Sequence, residues 1–187
     1  MRKHKAIRVF MVLTVLLIQI AFLTTIVKEE YETGNFVAIL SMLLLILTLF
    51  FGYRYIDLHH TKYEYEKISV IVWVPVGAVI CYLLNVYGEL GSVLSAGITG
   101  TVASFVPQIN KESPYLEKLP AAIYCGVFVG MSSSEIVPTI GFVTAAGLVA
   151  GVFLLLSKNL FLGVGGKLGT VAFGGVIIVS LIYGLAT

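Results

Sequence analysis

Charge is what this chain has least of. Only 12% of its 187 residues are Asp, Glu, Lys or Arg, while 58% are hydrophobic and mean hydropathy is +1.00. Average globular proteins carry about 25% charged residues. A water-soluble surface on a chain of this size needs more charge than this, so a soluble domain is excluded. The formal net charge of +2 is too small to suggest a nucleic-acid partner.

Histidine is scarce as well. His4, His59 and His60 are the three present, and all lie at the ends of apolar runs. A Ser–His pair therefore has no place inside a bilayer, and we expect no enzyme and no cofactor. Asp57, His59, His60, Glu64 and Glu66 share one connection, but adjacent histidines lack the spacing of a helical zinc site, and no metal is expected. There is no Walker loop, TVGYG filter, HExxH or rhomboid-type serine context. Ionisable groups are missing from the middle of every apolar run, which disfavours a proton relay. The most central polar side chains, Gln19 and Thr101, come to lie ~18 Å from the inner boundary and ~15 Å from the outer one at the rise of a helix.

Cysteine is limited to Cys81 and Cys125, both inside apolar runs. At helical rise they fall ~20 Å and ~9 Å above the inner boundary. That gap exceeds the ~7 Å reach of a disulfide, so none is expected.

What is present is apolar sequence in seven blocks: Ile7–Val27, Phe36–Tyr53, Ile68–Tyr87, Gly91–Pro107, Leu119–Val137, Pro138–Leu156 and Leu168–Leu185. A spanning helix needs ~20 residues, so the blocks predict an all-α polytopic membrane protein, residues 1–187 forming one transmembrane domain of about seven helices. The basic start (Arg2, Lys3, Lys5, Arg8) resembles the leader of a signal peptide. The first block is too long for such a peptide and no small-x-small site follows it, which predicts a retained first helix.

Charge tests the count. With the N-terminus inside, Arg2, Lys3, Lys5, Arg8, Arg54, Lys62, Lys67, Lys111, Lys118, Lys158 and Lys167 all fall on one side, and Lys28 alone falls on the other. That is the pattern of cytoplasmic connections in a multi-pass protein of the cell (inner) membrane. Glu29, Glu30, Glu32, Glu89 and Glu135 fall outside and the other five acids inside, giving an outer face of −4 and an inner face of +6.

Glycine is unevenly spread. Gly34, Gly52 and Gly77 are the only three before Tyr87, and sixteen of the nineteen follow it. Residues 1–87 therefore read as Leu/Ile/Val-rich, lipid-facing helices 1–3, and residues 88–187 as a glycine-rich inner bundle of helices 4–7. Small residues recur every fourth position: Ser92, Ala96, Gly100 and Ser104; Ala122, Gly126, Gly130 and Ser134; Gly147 and Gly151; Gly166, Thr170 and Gly174. Such faces let helix backbones approach closely in lipid. We assign Gly97, Gly100, Gly126, Gly130, Gly147, Gly151 and Gly174 to helix packing. Gly88–Val93 and Gly166–Val171 echo each other (GELGSV and GKLGTV) at the starts of blocks four and seven, as an inverted repeat would.

The candidate functional residues are the hydroxyl run Ser132, Ser133, Ser134 with Glu135, followed by Pro138 at the start of the sixth helix. Thr101 and Ser104 of the fourth block join them, with Glu89 at its mouth. Carboxylates outside concentrate cations, and hydroxyls or unwound carbonyls replace hydration oxygens. An external hairpin with a capped helix start is the plainer account of the serines. Leu162–Lys167 reads as a flexible turn or a re-entrant loop. Trp73 reads as a packed aromatic and Pro75 as a kink. The expected function is a channel or facilitative route for a small ion or polar solute, built as a homo-oligomer in the lipid bilayer. The alternative is a membrane-embedded sensor or scaffold, in a stress or phage-defence module, that recruits a cytosolic protein partner through its basic inner face.

Overall fold

A computed structural model describes residues 2–55, 65–157 and 166–186. Among these residues the architecture is all-α, with no strand: α1 (Arg2–Glu32), α2 (Phe36–Tyr55), α3 (Ile68–Ile71), α4 (Trp73–Tyr82), a π-helical turn (Leu83–Tyr87), α5 (Ser92–Phe105), α6 (Leu119–Gly130), α7 (Ile140–Leu156) and α8 (Lys167–Ala186). The contacts divide the chain into two units, Met1–Tyr63 with Asn159–Gly165, and Glu64–Lys158 with Gly166–Thr187. Two helical runs are long and apolar enough to cross a membrane, Ile68–Tyr87 and Lys167–Leu185. Phe36–Thr48 and Ile140–Leu156 are shorter apolar helices.

In the first unit α1 and α2 form a helical hairpin. The turn between them uses Gly34 at φ +71°, where a residue without Cβ carries no penalty. Asn35 caps α2, its side-chain oxygen accepting from Ala38 N at 3.3 Å. Hydroxyls along both helices bond back to the carbonyl four residues earlier, as in Thr14 to Phe10 (2.9 Å), Thr24 to Ile20 (2.7 Å) and Thr48 to Leu44 (2.8 Å). Each polar group is thereby satisfied without water. The exposed positions are large and apolar, among them Phe10, Leu13, Leu17, Leu40 and Leu44.

The second unit is a helix bundle built on backbone-to-backbone approach. Gly126 and Gly130 of α6 abut α4 so closely that a Cβ at either would overlap the carbonyl oxygen of Val74 or Ala78. Gly77 of α4 meets Ile123 of α6 in the same way from the other side. Gly147 of α7 lies on Pro75, where a Cβ would come within 2.8 Å of Cα, and Gly175 of α8 lies on the Ala146 carbonyl at 2.6 Å. Gly100 of α5 faces the Tyr124 ring of α6, with 2.6 Å left for a Cβ.

The interruption of the helix between α3 and α4 has a local cause. Pro75 has no N–H to offer the Ile71 carbonyl, so the helix loses that rung and is interrupted at Val72. Gly151 of α7 lies under the released carbonyl, 3.2 Å from it to a hypothetical Cβ. The kink expected at Pro75 is thus a break three residues earlier.

Contacts at the ends fix helix direction. Lys118 pairs with Glu66 at 3.6 Å, Glu66 N donates to Leu155 O at 3.2 Å, and Lys167 Nζ donates to Ser157 O, so the starts of α3, α6 and α8 meet the end of α7. At the other end the π-turn meets the end of α6, and Phe142 packs edge-on against Tyr183 at 5.9 Å. Successive helices from α4 to α8 therefore alternate in direction, and the described bases of this unit gather at one end.

Several details differ from the sequence reading. Ile68–Tyr87, placed with the lipid-facing helices, packs in the second unit against α5, α6 and α7. Its Gly77 and Ala78 admit neighbouring backbones although the rest of the run is Val- and Ile-rich. The fifth block runs to Val137 in sequence, but α6 stops at Gly130, and α7 starts at Ile140 rather than at Pro138. Thr139 is its N-cap, accepting from Phe142 N at 3.2 Å. The GELGSV and GKLGTV segments are not equivalent: the first lies mostly before α5, the second mostly inside α8. Asp57, His59, His60, Glu64 and the stretch 162–165 lie outside the described residues.

Candidate functional site

The hydroxyl-rich stretch predicted to carry function forms the connection after α6. Ser132 N donates to Val129 O at 3.2 Å, and Ile136 N and Val137 N both donate to Ser133 O, at 3.2 and 2.9 Å. The backbone is a self-bonded turn. Ser132 is half-buried, and Ser133, Ser134 and Glu135 are exposed on it.

Two residues that the sequence reading passed over hold this turn in place. Asn85, in the π-turn, donates through Nδ2 to Gly130 O and Ser132 O, each at 3.2 Å. Gly130 O is among the carbonyls that a helix C-terminus leaves without intrahelical partners, and Ser132 O lies just beyond it. Tyr82 OH, fully buried, donates to Val137 O at 2.8 Å. The π-turn adds a residue to the helical circuit, and Asn85 lies within that widened turn. A signal was available: Asn85 is the one carboxamide in the run Ile68–Tyr87.

Glu89 is exposed and sits at φ +52°, the one described residue other than glycine in that region. An L-residue there is strained by its own carbonyl. The carboxylate thus projects from a tight link between the π-turn and α5, in which Leu90 N donates to Leu84 O at 3.2 Å.

The fourth block, α5, presents a different face from the one the small-residue spacing suggested. Its buried line is Ser95, Thr99, Gly100 and Ala103, whereas Ser104 is exposed and Ser92 and Ala96 are half-buried. Thr99 satisfies its hydroxyl on Ser95 O at 2.8 Å, and the buried Ser95 Oγ has no partner among the described residues. Gly97, Thr101 and Ser104 face outward together with Leu94, Ile98 and Val102. Among the described residues nothing lies within 4 Å of a Cβ on Gly97, so this glycine packs against no other helix of its unit. Ser104 Oγ donates to Thr101 O at 2.7 Å.

The structure therefore separates the candidates. Ser132, Ser133, Ser134 and Glu135 share one turn, at the end of the bundle where α5 begins just after Glu89. Thr101 and Ser104 lie along the outer face of α5. Of the packing glycines, Gly100, Gly126, Gly130, Gly147 and Gly151 meet neighbouring helices, and Gly174 is buried next to Gly175 in α8. Cys81 and Cys125 are both buried free thiols. Among the described residues no three His, Cys, Asp or Glu side chains converge on a metal site. Comparison of the chain with protein-family models, with curated proteins and with solved structures gives no match in any of the three.

Proposed function

We propose that this is a multi-pass protein of the cell membrane, N-terminus inside, whose seven helical crossings form a route for a small ion or polar solute between copies of the chain. The observation that carries the reading is the outward stripe of Gly97, Thr101 and Ser104 on α5. Within the second unit, glycines of α4, α6, α7 and α8 bring helix backbones into contact. The route we propose runs along the face of α5 that the second unit leaves open, and a homo-oligomer would close it.

The membrane setting is supported by the alternation of helix direction from α4 to α8. It collects Lys67, Lys118 and Lys167 at one end, the bias of basic residues that the positive-inside rule describes, with Glu89 and Glu135 at the other. It is also supported by exposed Leu, Ile, Val and Phe along α1, α2 and α5. Glu89 and Glu135 would raise cation concentration at the outer mouth, and Thr101 and Ser104 would stand in for hydration oxygens along the stripe.

The test is flux through purified protein in liposomes with a panel of ions and small polar solutes, together with the mass of the assembly. Thr101→Leu should abolish flux while the oligomer persists. A monomeric mass, or flux unchanged in Thr101→Leu, overturns the proposal.

One observation favours a second reading, a scaffold that recruits a cytosolic partner. The connection from Ile109 to Lys118 is folded rather than extended: Tyr115 OH accepts from Trp73 Nε1 at 2.8 Å and donates to Ser69 O at 3.1 Å, and Ile109 is left 79% exposed. A stoichiometric soluble partner whose binding is lost in Ile109→Ser, combined with zero flux, would select this reading.

A further inference from the structure

The four-residue helix α3 is joined to the bundle in an unusual way. The helical run is interrupted at Val72, since Pro75 cannot complete the rung to Ile71, while Val72 keeps helical dihedrals and donates to Ile68 O at 3.2 Å. The short helix is then tied down from three other places. The Glu66 carboxylate pairs with Lys118 at the start of α6 at 3.6 Å, and Glu66 N donates to Leu155 O at the end of α7 at 3.2 Å. Tyr115, in the connection before α6, donates to Ser69 O at 3.1 Å. Val70 is the side chain this arrangement seals, at 1% exposure, while Ile68 on the same short helix is 71% exposed.

We infer that α3 is a hinged flap at the basic end of the bundle, turning at Val72 and latched shut by Glu66 and Tyr115. A four-residue helix has too few internal hydrogen bonds to hold itself, so its position depends on the latch. Local openings of such segments lie at the low end of a protein's stability range. The ion pair is the adjustable part of the latch. Glu66 is 13% exposed and Lys118 is 37% exposed, so salt reaches the pair from the lysine side and weakens it, though less than it would a fully exposed pair. Opening would uncover Val70 and free the Leu155 carbonyl, leaving the glycine seam between α4 and α6 untouched. The inference does not depend on what, if anything, crosses the membrane.

The experiment is maleimide labelling of Val70→Cys in the full-length protein, resolved by peptide mass spectrometry. The buried native Cys81 and Cys125 serve as internal reporters of general loosening. Adding Glu66→Gln or Tyr115→Phe should raise the labelling rate at position 70 about 2- to 5-fold, the range expected for losing one partly exposed pair or hydrogen bond. Cys81 and Cys125 should stay unreacted. Raising salt should speed labelling with Glu66 present and leave the Glu66→Gln rate unchanged. Hydrogen exchange on the otherwise wild-type chain covers the case where Val70→Cys misfolds: in Glu66→Gln the amides of Val70, Ile71 and Val72 should exchange faster than those of α6. Equal rates at position 70 in all variants, or parallel acceleration at Cys81 and Cys125, overturns the flap.

Discussion

Gly126 lies so close to Val74 that a β-carbon would fall on the Val74 carbonyl oxygen. This contact, repeated one turn on at Gly130 and Ala78, lets α6 and α4 pack backbone to backbone. In the bilayer setting proposed above, lipid tails give helices no hydrophobic reason to associate, so close approach and the dispersion it brings would supply the attraction.

The glycines are therefore not interchangeable. Gly126→Ala should destabilise the bundle by about 1–3 kcal/mol or more, the usual cost of overpacking, because the obstacle is backbone that cannot swing aside. Gly97→Ala should be neutral, or stabilising by about 0.5–1 kcal/mol through helix propensity, since its Cβ would meet nothing within 4 Å. Thermal unfolding in detergent, followed by circular dichroism, separates the two. Equal effects would contradict the packing described.

At the acidic end, Tyr82→Phe removes the one donor shown for the Val137 carbonyl and should cost about 1–3 kcal/mol, because it leaves a buried acceptor unpaired. Asn85→Leu deprives Gly130 O and Ser132 O of their shared donor. Its main effect should be local, with faster proteolysis or hydrogen exchange across Met131–Thr139. Protection of that turn unchanged in Asn85→Leu would show that the amide does not hold it.

Two hydroxyls make opposite forecasts. Ser95→Ala deletes a buried hydroxyl that has no partner among the described residues and should leave stability unchanged or raise it slightly. Thr139→Ala deletes the N-cap of α7 and should cost about 1 kcal/mol. The same unfolding assay reads both, and a larger loss for Ser95→Ala than for Thr139→Ala would reverse the assignment.

Glu89 combines strain with a proposed role, which makes it informative. Glu89→Gly should relieve a conformation that costs about 1–2 kcal/mol in an L-residue, raising the unfolding midpoint while lowering cation flux. Glu135→Gln should lower flux without changing stability, its side chain being exposed. Cysteines placed at 67 and 111 should react with impermeant reagent from one side of a sealed vesicle, and cysteines at 89 and 135 from the other.

Much of the helical layout could be read from the residues, because a long apolar run is a one-dimensional signal. The described helices fall on the seven apolar blocks, with their boundaries shifted. The shift at α6 was not legible: Ser132–Val137 looks like the polar end of a helix, and the end at Gly130 is closed by the local turn together with the bond from Asn85, forty-five residues away in sequence. The α5 face was misjudged for a related reason. A line of small residues at every fourth position marks a face that can pack, and Ser92, Ala96, Gly100 and Ser104 satisfied it as well as the buried Ser95, Thr99 and Ala103 line does. Rotation about a helix axis is set by the neighbour, and α5 turns so that Gly100 receives the Tyr124 ring.

Composition decided that this chain is apolar, and the order of its residues decided that it is helical and where along the chain its charges lie, since those properties depend on each residue's own transfer energy and position. Which glycines touch, which face of α5 looks outward, and how Pro75 turns one helical run into a short flap and a long helix were decided only when the helices met. Those outcomes rest on steric fit between backbones distant in sequence, a quantity that no single stretch of residues contains.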